Sequence, residues 1–451
     1  MERTNVLVIG GSAAGIVASV TGKSCHPDKD FLLIRKEKQV ITPCGIPYIF
    51  GSLESSNKDL VPDAVLSEAG IKLKIGEVVS IDQKNNVCKI ADGTDINFEK
   101  LVLATGSTPV IPEWLKGTEL KNVFTIPKNK EYIDEILVKL KDCKKVVIIG
   151  GGFIGVEISD EINKTNKDVT IVEILPHILA LVFDEEITVK AEEIIKSSGV
   201  KIKTGVGVKE ILGDKKVSGV LLNNGEKLEA DAVILSVGYR PNISLAEKSG
   251  IKINEIGFIK VDEYMRTDNP DIFAVGDCAG KRDFLSRKLS GVMLASTACA
   301  EARIAAMNLY KLSSVKAFSG TIAVFSTALG EIGFGAAGLT ENQAVKEGFD
   351  IVSGTFEGID KHPGTLLGTH KQMVKLIVAR ESGTILGGEV IGGPSTGELL
   401  NLIGVVIQNR MTVDSILTAQ IGTHPLLTAP PTAYPLIKAA EVVAKKIKAT
   451  C

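Results

Sequence analysis

Gly10-Gly11-Ser12-Ala13-Ala14-Gly15, following the apolar run 5–9, and Gly150-Gly151-Gly152-Phe153-Ile154-Gly155, following 146–149, decide how this chain is read. Each glycine run is entered from a β-branched apolar stretch. Each is left by an apolar helical pattern, Ile16, Val17 and Val20 after the first and Val156, Ile158 and Ile162 after the second. Strand, glycine turn and helix in that order predict a dinucleotide-binding unit. The first glycine permits the tight turn, the second lets backbone approach a pyrophosphate, and the third lets helix pack on strand. Phosphates then meet the helix N-terminus, where unpaired N–H groups and the dipole favour negative charge. Two such units predict that electrons pass between two bound dinucleotides. Candidate contacts are Gly10, Ser12, Ala13 and Gly15 in the first and Gly150, Gly152, Phe153, Ile154 and Gly155 in the second.

At 451 residues and 44% hydrophobic the chain can build two or three domains with full cores. A formal net charge of −2 without long Lys/Arg runs leaves no electrostatic footprint for nucleic acid or an anionic membrane, so neither is an expected partner. Strand signal begins at Val6 with no leader-like segment ahead of it, and no uninterrupted apolar stretch reaches spanning length. A cytoplasmic protein is expected. The seven cysteines, Cys25, Cys44, Cys88, Cys143, Cys278, Cys299 and Cys451, are odd in number and contain no CxxC. They predict neither a metal site nor a thioredoxin-like dithiol, and most are expected to be small buried hydrophobes.

A βαβ pattern runs to about residue 80, and a strand pair then leads to Leu101-Val102-Leu103-Ala104-Thr105-Gly106-Ser107, an apolar strand ending in a small-residue turn. A second βαβ block opens at Val146 and closes with a similar strand and turn, Ala232 to Gly238. Ile272-Phe273-Ala274-Val275-Gly276-Asp277 is a further strand that stops at a Gly-Asp pair, and from about Phe318 strand-like stretches at 321–327, 374–379 and 385–391 accompany two helical ones. The predicted architecture is α/β with two Rossmann-like units and a C-terminal α+β unit: 1–110 with 240–317, an inserted 111–239, and 318–451.

These pieces in this order resemble the two-dinucleotide flavoprotein disulfide reductases over the whole chain. The resemblance implies an FAD domain in two pieces, an NAD(H) domain inserted between them, and a C-terminal dimerisation domain, hence a homodimer or a tetramer. Thr267-x-x-Pro270-x-Ile272-Phe273-Ala274-Val275-Gly276-Asp277 is similar to that family's flavin signature, whose Asp contacts the ribityl chain. Asp277 inherits that role by resemblance; on residues alone it reads equally as a turn Asp. Ala104, Thr105, Gly106, Gly276 and Gly238 join it as candidate cofactor contacts.

Thr42-Pro43-Cys44-Gly45-Ile46-Pro47-Tyr48 selects the branch of that family. Glutathione-reductase-like members carry CxxxxC here, whereas position 49 is Ile. The lone Cys44 instead resembles the coenzyme A disulfide reductase, NADH oxidase and persulfide reductase group, in which one thiol near the flavin forms a mixed disulfide, persulfide or sulfenic acid. That chemistry needs a thiolate, which positive dipoles and the flavin would supply by lowering the pKa from about 8.5. Water-forming oxidases and peroxidases of the group carry a His in the first fingerprint where this chain has Ala13, which weakens the oxidase reading.

Coenzyme A is a candidate ligand with two departures against it. Coenzyme A-using relatives tend to carry a basic pair where this chain has Lys23-Ser24, and a basic patch where it has Gly393-Pro394-Ser395-Thr396-Gly397. Their two active-site tyrosines are matched nearest by His362-Pro363-Gly364 and by Thr423-His424-Pro425, with Tyr434 downstream. His424-Pro425 also resembles the C-terminal His-Pro of glutathione-reductase-like enzymes, whose His reaches the partner subunit's site and could shuttle protons there. His26, His177 and His370 read as surface residues.

The strand 169–172 ends at Glu173, where a carboxylate binds both ribose hydroxyls and repels a 2′-phosphate, so NADH is favoured over NADPH. Phe153 stands where relatives keep an aromatic over the flavin; core packing also explains it. In the first unit the corresponding strand, 31–34, ends at Arg35-Lys36-Glu37, leaving Arg35 and Glu37 as alternative adenosine contacts.

The resulting expectation is an enzyme that passes electrons from NADH through FAD to Cys44, reducing a persulfide, polysulfide or disulfide of a small thiol. No fused rhodanese domain is expected after the C-terminal unit. The rivals are an NADH oxidase and a low-turnover flavin redox sensor.

Overall fold

In a computed structural model that describes residues 2–449, strand Glu2–Ile9 runs parallel between Phe31–Arg35 and Asp95–Leu103, and Lys72–Ile75 extends this sheet past Phe31–Arg35. Val6, Leu7 and Val8 have no exposed surface, which is why the strand reads as an unbroken apolar run rather than an alternating one. The hairpin Val78–Asp82 and Val87–Ile90 continues the sheet beside the first half of Asp95–Leu103. Beside its second half lies Ile272–Ala274, parallel, with Ile272 opposite Leu101. A segment far along the chain thus completes the first sheet and delivers Gly276 and Asp277 to its carboxyl end.

Helix Ala13–Cys25 buries Gly15, Ala18, Ser19 and Gly22. It packs on helix Ala295–Met307, which buries Ala298, Ala302 and Ala305. Small residues on both helices let them approach closely. Lys281 and Glu301, both under 2% exposed at the side chain, brace the turn below: Gly276 N donates to Glu301 Oε2 over 2.7 Å, and Lys281 Nζ donates to the Gly276 carbonyl over 3.0 Å.

The second sheet is fully parallel, in the order Lys201–Lys203, Asp168–Val172, Lys145–Ile149, Ala232–Leu235, Val123–Thr125. The two chain passages joining the units pair with each other as an antiparallel ribbon, Ser107–Pro109 against Tyr239–Pro241. Asn242 N and Thr105 Oγ1 reinforce it by donating to the Gly106 and Asn242 carbonyls over 2.8 and 2.6 Å.

The C-terminal unit is a five-stranded antiparallel sheet, Phe325–Leu329, Ile332–Gly338, Ile385–Gly392, Lys371–Ala379, Ile351–Ile359. The strand expected at 321–327 is displaced to Phe325–Leu329, and two strands lacked a sequence signal because their glycines (Gly333, Gly335, Gly354, Gly358) blur the alternation. Those glycines are packing sites: a Cβ on Gly335 would crowd Leu400, and one on Gly354 would crowd Val443. Leu400 and Val443 belong to helices Thr396–Gln408 and Pro435–Ala449, which cover one face over Val374, Leu376 and Val378.

The opposite face, offset by one residue along the same strand, turns Met373 and Lys375 toward the second dinucleotide unit. Lys375 is 2% exposed at the side chain and lies 2.8 Å from Asp184, 2.5 Å from Glu186, 3.3 Å from Glu341 and 3.8 Å from Glu389. Burial, with Asp184 adding to it, pushes the Glu389 carboxyl up to about 8. One cation therefore pins two units of the chain while holding more acid than it neutralises.

Candidate active site

A cavity of about 1850 Å³ opens where the first sheet's carboxyl end, the second unit's fingerprint helix and the C-terminal sheet converge. Its floor is the first glycine turn. Gly10 sits at φ +118°, and a Cβ there would overlap the Ala104 carbonyl; one on Gly15 would overlap the Gly10 carbonyl. Ser12 caps helix Ala13–Cys25 with extended backbone and no side-chain capping bond, so the N–H groups of the first turn are left to a ligand. Ala13, Ala104, Thr105, Gly106, Gly276 and Asp277 line the same cavity. A volume of this size, bounded by unpaired helix N–H groups and by backbone no side chain obstructs, fits an FAD.

Of the alternative adenosine contacts the structure brings only Glu37 to the cavity. Arg35 is 3% exposed, packs beneath Gly11, and is engaged by Asp63 through two bonds of 2.7 and 2.9 Å.

Asp277 is held by Ser107 Oγ at 2.7 Å and by Lys128 Nζ at 2.6 Å. Burial alone would raise its carboxyl; the Lys128 ammonium and the Ser107 hydroxyl outweigh that and hold it below the usual carboxylate range. Lys128 lies in a loop without any motif, and sequence reasoning missed it.

Cys44 lies in the 3₁₀ turn Pro43–Gly45 ahead of the short helix Ile46–Ile49. The turn is held from two sides. A Cβ on Gly45 would strike the Asp59 carboxylate and one on Gly51 the Glu161 backbone, while Ser52 N and Oγ donate to Glu161 over 2.6 and 3.1 Å. Glu161 belongs to the second unit's helix Phe153–Asn163, so the cysteine segment is fastened to the second fingerprint helix. Among the described residues Cys44 is the cysteine that lines the cavity.

The protein's own groups do not lower this thiol as expected. It is exposed to the cavity yet walled by protein, and that crowding raises its pKa first, followed by the carboxylates of Glu157, Asp277 and Asp59; Lys128 alone acts the other way. Lys128 alone does not outweigh them.

Phe153 borders the cavity, its ring stacked on Phe325 at 5.5 Å and edge-on to Phe183 at 6.0 Å. One helical turn on, Glu157 also faces the cavity, and burial pushes its carboxyl up to about 7. The signal for it was present in the sequence: four residues from Phe153, it shares that residue's helix face.

In the second unit, a Cβ on Gly150 would crowd the Ser236 carbonyl and one on Gly155 the Gly150 carbonyl, whereas Gly152 faces open space. Glu173 takes Gly151 N over 2.6 Å and Leu175 N over 2.8 Å, which fixes its carboxylate against the fingerprint turn. Ile154 lines the cavity; Gly150, Gly152, Gly155, Glu173 and Gly238 stand outside its lining.

The cavity of this chain includes neither His424, which is exposed, nor Tyr434, which is half-buried against the C-terminal core. Of the three histidines read as surface residues, His26 and His177 are partly exposed and meet the Ala306 carbonyl and Glu192, each at 3.1 Å, whereas His370, paired with buried Asp360 at 3.0 Å, lines the cavity. Cys88, Cys143 and Cys278 are buried as expected, but Cys25 is exposed like Cys44 and Cys299 is intermediate; Cys451 lies outside the described residues. No metal-ligating cluster occurs among the described residues, and none of their helices is long and apolar enough to cross a membrane.

Comparison with known proteins gives this site its family. The family described as pyridine nucleotide-disulphide oxidoreductase matches residues 4–302, and its dimerisation domain matches 324–434. A protein named NADH oxidase from Methanocaldococcus jannaschii is 29% identical, covering 98% of this chain and 99% of its own. A protein named NAD(P)H coenzyme A polysulfide/persulfide reductase from Pyrococcus horikoshii is 31% identical over 92% of this chain and 94% of its own. The structure of an NAD-dependent persulfide reductase from A. fulgidus superposes with a TM-score of 0.91 at 27% identity, over 99% of this chain and 84% of that one. With both sequence regions matched and the relatives aligned nearly end to end, the chain belongs to the pyridine nucleotide-disulphide oxidoreductases, NAD(P)H-dependent flavoprotein enzymes with a C-terminal dimerisation domain.

Proposed function

We propose that the protein takes electrons from NADH by way of FAD and delivers them at Cys44 to a persulfide, polysulfide or disulfide of a small thiol, coenzyme A among the candidates. The observation that carries this is a lone cysteine on the wall of the flavin-sized cavity, with no second cysteine beside it among the described residues to form an internal disulfide. FAD would be held by the Gly10 to Gly15 turn with Glu37, by Ala104 to Gly106, and by Gly276 and Asp277. When bound there it supplies hydride acceptance and two-electron reduction of sulfur. The chain does the rest. Helix N–H groups at Ser12 and Ala13 bind pyrophosphate, Glu173 orients a ribose and opposes a 2′-phosphate, and Gly150, Gly152, Ile154 and Gly155 take the second pyrophosphate. Phe153 shields the site from water, and Lys128 supplies the positive charge that favours a thiolate at Cys44.

His424 and Tyr434 act, in this reading, across a homodimer interface. The units are 1–110 with 240–317 for FAD, 111–239 for NADH and 318–451 for dimerisation, and the location is cytoplasmic. A second reading, oxygen reduction, is supported by the name of the Methanocaldococcus jannaschii relative. The test is a panel of NADH-oxidation rates with coenzyme A disulfide, coenzyme A persulfide, glutathione persulfide, polysulfide and oxygen, run on the parent and on Cys44→Ser. Turnover with a sulfur substrate that vanishes in Cys44→Ser, while flavin is retained and reduced by NADH, is the expected result. Undiminished sulfur turnover in that variant would overturn the assignment of Cys44.

A further inference from the structure

Sulfur exchange at Cys44 needs a group that removes the thiol proton and returns a proton to the departing sulfur, and the fingerprint position that could have held an imidazole is Ala13. The wall of the cavity offers a carboxyl instead. Glu157 projects from the first turns of helix Phe153–Asn163 and lines the cavity together with Cys44 and Tyr48. Thr327 Oγ1, on the strand Phe325–Leu329, donates to Glu157 Oε1 over 2.7 Å, while Oε2 has no hydrogen-bond donor among the described residues. The charged and titratable groups facing it are Cys44 and Tyr48 from the cysteine segment and Glu161 one turn along its own helix. None of these is a cation. After crowding, Glu157 is the largest influence on the Cys44 thiol, and burial raises the proton affinity of both groups, the Glu157 carboxyl to about 7. Thr327 is the hydrogen-bond partner of Glu157 among the described residues, so a proton would pass between Glu157 and Cys44 by way of a water or the substrate sulfur.

We propose that Glu157 is the acid-base group of Cys44, a role that rests on Cys44 being the redox thiol. The Glu157 carboxylate takes the proton from Cys44 as its sulfur attacks one sulfur of an R–S–S–R′ bond. The new Cys44–S–S–R bond forms as the S–S bond of the substrate breaks, and the protonated Glu157 gives its proton to the departing R′S⁻, releasing R′SH and regenerating the carboxylate. The electron pair of the broken bond leaves with R′S⁻, so the exchange needs no external reductant; electrons from NAD(P)H are required only afterwards, to cleave Cys44–S–S–R.

Two readouts test this without relying on turnover alone. The first is peptide-resolved alkylation of Cys44 by iodoacetamide as a function of pH in the parent, Glu157→Gln and Glu157→Asp proteins. Loss of the facing carboxylate should shift the Cys44 midpoint to lower pH in Glu157→Gln, with Glu157→Asp remaining near the parent. The second is sulfur-substrate turnover against pH. The parent should rise through a limb near pH 7 as Glu157 ionises, and Glu157→Gln should lose that limb and about 10²-fold in rate, a typical magnitude for a general acid-base group. An unmoved alkylation midpoint, or a parent-like pH limb in Glu157→Gln, overturns the proposal. Full sulfur turnover by Cys44→Ser would instead strike the redox assignment itself, so the two failures are distinguishable.

Discussion

Replacing Glu173 should narrow the preference for NADH over NADPH, and its hydrogen bonds say by how much. The carboxylate is fixed by Gly151 N and Leu175 N, so its position does not have to be ordered by a ligand. Two charges about 5 Å apart repel by about 3 kcal/mol at an effective dielectric of about 20. Partial exposure and salt reduce this to about 1–3 kcal/mol, or a factor of about 5 to 150. Glu173→Gln should keep an acceptor for Gly151 N, set its amide N–H₂ against Leu175 N and lose the repulsion, so NADPH use rises. Glu173→Ala should also lose ribose hydrogen bonding, so the KM for NADH rises too. The assay is kcat/KM for both nucleotides at low and high ionic strength, alongside thermal unfolding. In the parent, added salt should favour NADPH by screening; in the variants that salt effect should shrink. An unchanged nucleotide ratio in a variant of unchanged Tm would refute the reasoning and reduce Glu173 to a brace for the glycine turn.

Lys128→Met should make Cys44 less reactive toward iodoacetamide near neutral pH, because it removes the cation that opposes burial and three carboxylates at that thiol; an alkylation midpoint that stays put or falls would contradict this. Glu389→Gln should raise Tm more at pH 9 than at pH 6. The folded carboxyl is raised to about 8, so the fold favours its protonated form and loses that contribution as pH climbs from the ordinary carboxyl range through about 8. Equal Tm differences at the two pH values would show that Lys375 already neutralises Glu389.

The two fingerprints and the strands feeding them were legible in the residues because each is a local pattern: an apolar run, a turn only glycine can make, and a helix start within a dozen positions. The same locality exposed Cys44, Asp277 and Glu173 as candidates. What no local pattern held was which side chains converge. Lys128 reaches Asp277 across 149 positions and Glu161 clamps Ser52 across 109, pairings set by how the sheets stack. His370 read as a surface residue and proved to be a wall of the cavity for the same reason. The charge state of Cys44 depended most on folding. The family resemblance implied a thiolate at Cys44, but pKa is set by what crowds the sulfur, and tertiary packing brought three carboxylates to it against a single ammonium. Sequence determined that a thiol stands at this site; only the fold decided how tightly it holds its proton, because solvation and Coulomb energy depend on distance through space and not along the chain.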